Sequence, residues 1–147
     1  MKQSYWLTNA AQEHVHIVRD QGYTQLNMGP KEPLEKMNKG DWILYYSPTI
    51  LFNQPDTICQ QFTGISYLTD HTIYQQPTNP ERWRRNVQFF ECKPHHASQF
   101  HQHVDFLRQH TNWLDAFMIP FFEISRQDFI TVAHKIIIPN NNYSFLF

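Results

Sequence analysis

The run Trp42–Ser47, with the sequence WILYYS, is the feature that most constrains how this chain can fold. Aromatic and β-branched residues of this kind favour an extended backbone that packs on its neighbours. The preceding Gly40-Asp41 pair is a turn signal, and Pro48 ends the run because proline cannot donate to a strand ladder. The pattern predicts a strand, and a strand needs partners, so the fold must contain a sheet.

Further strands and short helices are predicted along the rest of the chain. Apolar or aromatic segments bounded by turn residues predict strands, and apolar residues at helical spacing predict helices. Strands are predicted at 4–8, 57–68, 71–75, 84–91 and 121–124, and helical segments at 10–19, 30–37, 97–109 and after 125. Five or so short strands mixed with short helices indicate an α+β, barrel-like domain.

Two capping boxes predict where helices begin. Asn9 is followed three residues later by Gln12, and Ser125 is followed by Asp128. At this spacing the side chain of the first residue accepts a hydrogen bond from the backbone N–H of the third helical residue. We therefore expect Asn9 to cap the first helix. Ser125 should cap a helix with one apolar face, made of Phe129, Val132, Ala133 and Ile136.

Length, charge and cysteine content limit the class of protein. A chain of 147 residues fits one domain, 1–147, with one core. A net charge of −1 is unlike that of a dedicated electrostatic nucleic-acid binder, so composition leaves the partner open. The start of the chain has no apolar signal-peptide core, and no stretch reaches the length of a membrane span. The two cysteines, Cys59 and Cys92, lie in apolar segments typical of free thiols, which persist in a reducing compartment. The sequence therefore predicts a cytoplasmic domain with no membrane segment.

Several short motifs follow one another in a characteristic order. The most specific is KMNKGDWILYYSP at 36–48. The others are Tyr5–Leu7, His14-Val15, Gly22–Gln25, Gln61–Ile65, Arg84–Val87, and Phe122–Ser125 with Asp128-Phe129. In this order they resemble the EVE domain family, a group of PUA-like proteins, over nearly the full chain.

The resemblance implies a PUA-like pseudo-barrel, which is a curved, mainly antiparallel sheet with short flanking helices. It also implies a nucleic-acid binding module that has no catalytic activity or cofactor. Such a module accepts a modified base, for example 5-methylcytosine in DNA or RNA, flipped into an aromatic pocket. The chain departs from the family where an Arg-rich stretch is common, because Ala116–Pro120 carries no charge here. Positive charge is therefore missing near the expected binding face.

A flipped base needs an aromatic ring to stack on and polar groups that meet its edge. Adjacent residues of a strand point to opposite faces, so of two neighbouring tyrosines in the 42–47 strand we expect Tyr46 to line the pocket with Ser47. Packing in the core is the alternative for both. Tyr23 and Gln25 share one side of an extended segment, and Gln25 offers a donor and an acceptor. Asn9 is the fifth candidate, with helix capping as its alternative role.

The densest basic cluster is a candidate phosphate site. Arg82, Arg84 and Arg85 flank Trp83, and guanidinium groups match the geometry of phosphate oxygens. Because side chains alternate along a strand, at most two of the three can act on one face. The alternative is a solvated strand edge. The paired histidines His14-x-His16, His95-His96 and His101-x-His103 have no metal-site spacing, so no metal site is predicted.

Two other functions remain open from the sequence. A nucleotide-directed enzyme could use a histidine with Asp41 or Asp128 as general acid and base. The turn at 40–41 and the capping box at 125–128 already account for these two carboxylates, and no nucleophile motif or phosphate loop is visible. A small protein–protein adaptor is the third possibility, which the apolar end of the chain, NNNYSFLF, would permit.

Overall fold

A computed structural model describes residues 2–26 and 29–138. The first half of the chain forms β1 (Tyr5–Asn9), α1 (Gln12–Gln21), β2 (Tyr23–Thr24), α2 (Glu32–Glu35), β3 (Trp42–Thr49) and β4 (Ile58–Gln76). The second half forms β5 (Asn79–Phe90), β6 (His95–His96), a 3-10 helix (Ala97–Phe100), α3 (Asp105–Arg108), a second 3-10 helix (Trp113–Met118), β7 (Phe121–Ile124) and α4 (Arg126–Ile136). The predicted apolar end of the chain lies outside the described residues.

The seven strands form one mixed, open sheet in the order β2-β5-β4-β3-β1-β7, with β6 paired to β4. β1 and β3 are parallel, and the other pairs are antiparallel. Short helices cover its faces. This arrangement confirms the predicted α+β fold with a mainly antiparallel sheet. None of the helices in the described ranges has the length and apolar character needed to cross a bilayer.

β3 is the central strand of the core. Trp42, Leu44 and Tyr46 face one hydrophobic cluster, and Ile43 and Tyr45 face the other. All five side chains are buried, because helices cover the sheet on both faces. This burial on both faces explains why the WILYYS run is apolar at successive positions. A strand with one exposed face would instead alternate apolar and polar residues.

α4 packs on one face of the sheet and α1 on the other. The Ser125 side chain accepts a hydrogen bond from the Asp128 N–H at 3.1 Å, which confirms the second capping box. The four apolar residues predicted for the inner face of α4 are all buried. On α1, Val15 and Val18 are buried, and Gly22 ends the helix in the left-handed conformation with φ 75°.

Three predicted segments differ in the structure. The strands predicted at 57–68 and 71–75 are one strand, β4, which keeps its pairing to β5 through an irregularity between Leu68 and Ile73. The helix predicted at 97–109 is broken because Val104 is extended, with φ −129° and ψ 142°. Helix α3 starts after it, and the Asp128 carboxylate accepts the Phe106 N–H at 3.1 Å. Cys59 and Cys92 are free thiols, as predicted.

Candidate functional site

The candidate site is an open cavity of about 240 Å³ where β1 and β3 end. Parallel strands end at the same edge of a sheet, so Asn9 and the Pro48-Thr49 pair lie side by side there. Arg82 of β5 and Gln25, which follows β2, complete the wall. The wall residues with functional groups or rings are Asn9, His14, Gln25, Pro48, Thr49, Phe52, Asn53 and Arg82.

Asn9 lines the cavity and does not cap helix α1. β1 continues through Asn9, and the helix begins after Ala11 with no side-chain cap. The carbonyl of Ile50 accepts the Glu13 N–H at 2.9 Å and so replaces the missing cap. Asn9 Nδ2 donates to the Phe117 carbonyl at 2.9 Å, while Asn9 Oδ1 is buried without a partner among the described residues. The predicted capping role is therefore wrong, and the Asn9 side chain instead holds the Phe117 carbonyl behind the wall.

His14 contributes an acceptor to the cavity. Its Nε2 lies 3.0 Å from the carbonyl oxygen of Gln25, and a carbonyl can only accept, so Nε2 carries the proton. Burial lowers the pKa of His14, the bond to the Gln25 carbonyl opposes this shift, and the positive charges of Arg82 and Arg84 add to it. The ring is therefore neutral at pH 7, which leaves Nδ1 as an acceptor.

Gln25, Arg84 and Tyr23 form a connected group. Arg84 Nε donates to Gln25 Oε1 at 3.2 Å, which orients the amide and leaves its Nε2 as a donor group. The guanidinium of Arg84 lies 3.8 Å from the centre of the Tyr23 ring. Tyr23 thus supports Arg84 through a cation–π contact and is not itself a wall of the cavity.

Arg82 reaches the cavity wall because Gly29 has no side chain. A Cβ at Gly29 would lie 2.8 Å from the Cβ of Arg82, closer than two carbons can approach. Gly29 also has φ 94°, which favours glycine, and its carbonyl accepts the Trp83 N–H at 2.8 Å. Within the described residues, neither Arg82 nor Arg84 forms a salt bridge.

Arg85 points away from the cavity, which corrects its assignment to phosphate. Its side chain is 1% exposed on the opposite face of β5 from Arg84, as strand alternation requires. Nη1 donates to the carbonyls of Leu34 and Met37 at 3.0 and 2.5 Å, and Nη2 donates to the carbonyl of Asp70 at 2.6 Å. Arg85 therefore joins the α2 region to the irregularity in β4.

Tyr46 and Ser47 also do not line the cavity, so the alternative of core packing holds for both. The Tyr46 ring stacks on Phe117 with centroids 3.6 Å apart and planes 6° apart. Burial raises the pKa of Tyr46, and its hydroxyl has no partner among the described residues. Ser47 Oγ is hydrogen-bonded to Thr63 Oγ1 at 2.6 Å inside the protein.

Phe52 is a wall residue that the sequence did not predict for the site. It lies in the 50–57 loop, its side chain is 53% exposed, and it is the apolar aromatic ring of the wall. In the segment between the strands predicted at 42–47 and 57–68, Ile50, Leu51 and Phe52 stand together between Pro48 and Pro55. An apolar triplet inside a proline-bounded loop was the available signal, since exposed aromatic residues on loops often bind ligands.

The two carboxylates considered for catalysis are engaged in structural hydrogen bonds. The Asp41 carboxylate accepts from Ser4 N, Trp6 Nε1 and Asn38 N, all within 3.0 Å. Asp128 accepts from Phe106 N. No group of three metal-ligating side chains occurs in the described part of the chain. His95 and His103 line a second cavity, with Lys135.

Comparisons with known proteins match this arrangement to a family. The family model described as the EVE domain matches residues 4–134. The chain belongs to the EVE domain family. Two relatives are UPF0310 proteins: YdcG of Bacillus subtilis, 31% identical over 90% of this chain and 92% of its own, and one from Streptococcus gordonii, 32% identical over 87% and 89%.

Solved structures show that the EVE fold is shared more widely. A hypothetical protein from Leishmania major has a TM-score of 0.59 and 11% identity, covering 90% of this chain and 94% of its own. Human THYN1, solved in complex with DNA containing 5-methylcytosine, has a TM-score of 0.51 and 13% identity, covering 90% and 96%. At such identities the likeness establishes the fold of the chain and nothing about its ligand.

Proposed function

We propose that this EVE domain binds nucleic acid and holds one modified base, turned out of its strand, in the cavity. One observation carries the proposal: an open aromatic ring, polar side chains and an arginine without a carboxylate partner among the described residues meet at one cavity, with a second arginine bonded to its wall. Phe52 supplies the ring, His14 an acceptor and Gln25 a donor, and Arg82 in the wall and Arg84 behind Gln25 supply the positive charge. A flipped base needs each of these three elements.

The size and polarity of the cavity favour a single base over a larger ligand. Pockets that bury drug-sized molecules have volumes of about 300–1,000 Å³, whereas this cavity has about 240 Å³. The edge of a base presents donors and acceptors side by side. Gln25 Nε2 can donate to such an edge, and His14 Nδ1 can accept from it.

The charge distribution supports weak, base-dependent binding. Arg82 and Arg84 can neutralise about two phosphates, and Arg85 cannot take part. For duplex DNA the slope of log affinity against log salt is then about −2 by counterion release. Stacking and edge contacts must therefore supply most of the discrimination.

Two further points favour binding over catalysis. Asp41 and Asp128 are occupied by structural hydrogen bonds, so neither is available as the general acid or base that an enzyme would need. THYN1, which shares the fold, was solved with 5-methylcytosine DNA, and this base is therefore the first to test.

The proposal is tested by measuring affinity for matched oligonucleotides that carry cytosine, 5-methylcytosine or its oxidised forms, in DNA and in RNA. We expect a modified base to bind more tightly than cytosine. Stacking on one ring contributes about 1–3 kcal/mol, so Phe52→Ala should weaken binding of that base by a factor of about 5 to 150. Ile58→Ala is the matched control, because Ile58 is 64% exposed and does not line the cavity.

Two results would contradict the proposal. One is equal affinity of the parent for modified and unmodified strands. The other is an equal loss in Phe52→Ala and Ile58→Ala, which would mean that the ring acts as general apolar surface.

A further inference from the structure

The segment Phe117–Pro120 is attached to the wall of the cavity at both ends. Asn9 Nδ2 donates to the Phe117 carbonyl, and Asn9 N donates to the Pro120 carbonyl, each at 2.9 Å. Phe117 is buried and stacked on Tyr46. The segment therefore has a fixed position beside the residue that forms the wall.

Between these anchors, two apolar side chains extend into solvent. Met118 is 80% exposed and Ile119 is 61% exposed. Their neighbours Phe117 and Ala116 are buried, so the exposed pair is confined to the tip of the segment. No charged residue occurs in Ala116–Pro120.

We propose that Met118 and Ile119 form a wedge that enters the base stack at the position vacated by the flipped base. This inference rests on the proposed function. Turning a base out of a duplex leaves a gap, and apolar side chains such as Met and Ile are used by proteins to fill or open such steps. Met suits this role because its unbranched thioether adapts to irregular gaps.

The position and size of the pair select a base stack as its occupant. Asn9 lines the cavity and anchors the wedge segment, so the segment lies next to the cavity, within reach of a strand whose base enters it. Arg82 and Arg84, free of carboxylate partners within the described residues, attract that strand. A stable protein interface needs about 800 Å² from each partner, far more than two side chains provide.

The inference is tested with the double variant Met118→Ser/Ile119→Ser. The probes are a short DNA duplex with one central 5-methylcytosine, the modified strand alone, and a duplex carrying a fluorescent adenine analogue beside the modified base. We expect the variant to bind the duplex about tenfold or more weakly and to lose the fluorescence rise that reports unstacking. It should bind the single strand as the parent does, because no opposing stack must be opened.

Two control variants separate the wedge from general effects. Met118→Leu/Ile119→Leu keeps the apolar volume and should restore duplex binding. Ile17→Ser removes a side chain that is 50% exposed on α1 and should change binding to none of the three probes. Because all these positions are exposed, each variant should unfold at nearly the temperature of the parent.

The outcomes distinguish the wedge from the proposed function. A parent that binds none of the probes contradicts the proposed function itself. The wedge inference is overturned if the serine variant binds the duplex as well as the parent does, or if it loses affinity for the duplex and the single strand equally. Either result leaves the proposed base binding intact. Loss of self-association as the sole effect would assign Met118 and Ile119 to a protein interface and would also overturn it.

Discussion

Arg84 and Arg85 are adjacent in sequence, and the structure predicts that replacing each of them affects a different property of the protein. Arg85 donates three hydrogen bonds to backbone carbonyls from a buried position. Arg84 is partly exposed, lies over the Tyr23 ring and donates to Gln25. Replacing Arg85 should therefore reduce the free energy of unfolding, whereas replacing Arg84 should reduce nucleic-acid affinity.

The magnitude follows from the contacts. A hydrogen bond to a charged group contributes about 1.5–3 kcal/mol, and a buried carbonyl left without a donor costs about 1–3 kcal/mol. The desolvation of the guanidinium, whose Nε has no partner among the described residues, offsets part of this. We expect Arg85→Ala to lower the free energy of unfolding by about 3–5 kcal/mol, a shift in Tm on the order of 10 °C. Arg84→Ala should lower the free energy of unfolding by about 1 kcal/mol or less.

The assay combines urea unfolding with binding measured well below the midpoint of thermal unfolding. Arg85→Met is the matched variant, because it keeps much of the side-chain volume and removes every donor, so it should retain most of the stability loss. Arg84→Ala should weaken binding to all sequences alike and make the salt slope shallower by about 1. Normal stability in Arg85→Met, or weak binding by a folded Arg85 variant, would refute the reasoning.

Two further predictions concern a core residue and a wall residue. Tyr46→Phe removes a buried hydroxyl that has no partner among the described residues. The free energy of unfolding should therefore stay the same or rise by up to about 1 kcal/mol, and the base preference should not change. A loss of preference in this stable variant would return Tyr46 to the site. Burial lowers the pKa of His14, so the unfolded chain binds the proton first and stability falls as pH drops below about 6.5. Urea titrations at about pH 7.5 and pH 5.5 measure this loss of stability. It should be smaller in His14→Gln, which keeps a donor for the Gln25 carbonyl. An equal loss in this variant would mean that other groups cause it.

The elements defined by local pattern were predictable from the sequence. Trp42–Ser47 and the helix after Ser125 have strong periodic or continuous apolar patterns, and both form as predicted. Strand alternation also correctly limited the arginine cluster to a pair on one face. These predictions depend on neighbouring residues alone, so one sequence suffices for them.

The errors have a common cause, which is that distant partners decided the outcome. The spacing of Asn9 and Gln12 fits a capping box, but pairing with Tyr46 and a bond to Pro120 keep Asn9 in β1. The pleat shows that Tyr45 and Tyr46 face opposite ways, but both faces of β3 are covered. Which ring is open to solvent depends on how the 50–57 loop lies against α1, and no local pattern specifies that.

The parallel pairing of β1 and β3 has a consequence for how this fold can change its ligand. At the edge where these strands end, the chain leaves β1 towards α1, leaves β3 into the 50–57 loop, and enters β7 from the 117–120 segment. Three separate connections therefore meet at one edge, two of them line the cavity, and the strand register behind them is fixed by the core. Insertions or substitutions in any one connection can reshape the ring, the wedge or the polar wall independently, so new base preferences need not compete with folding.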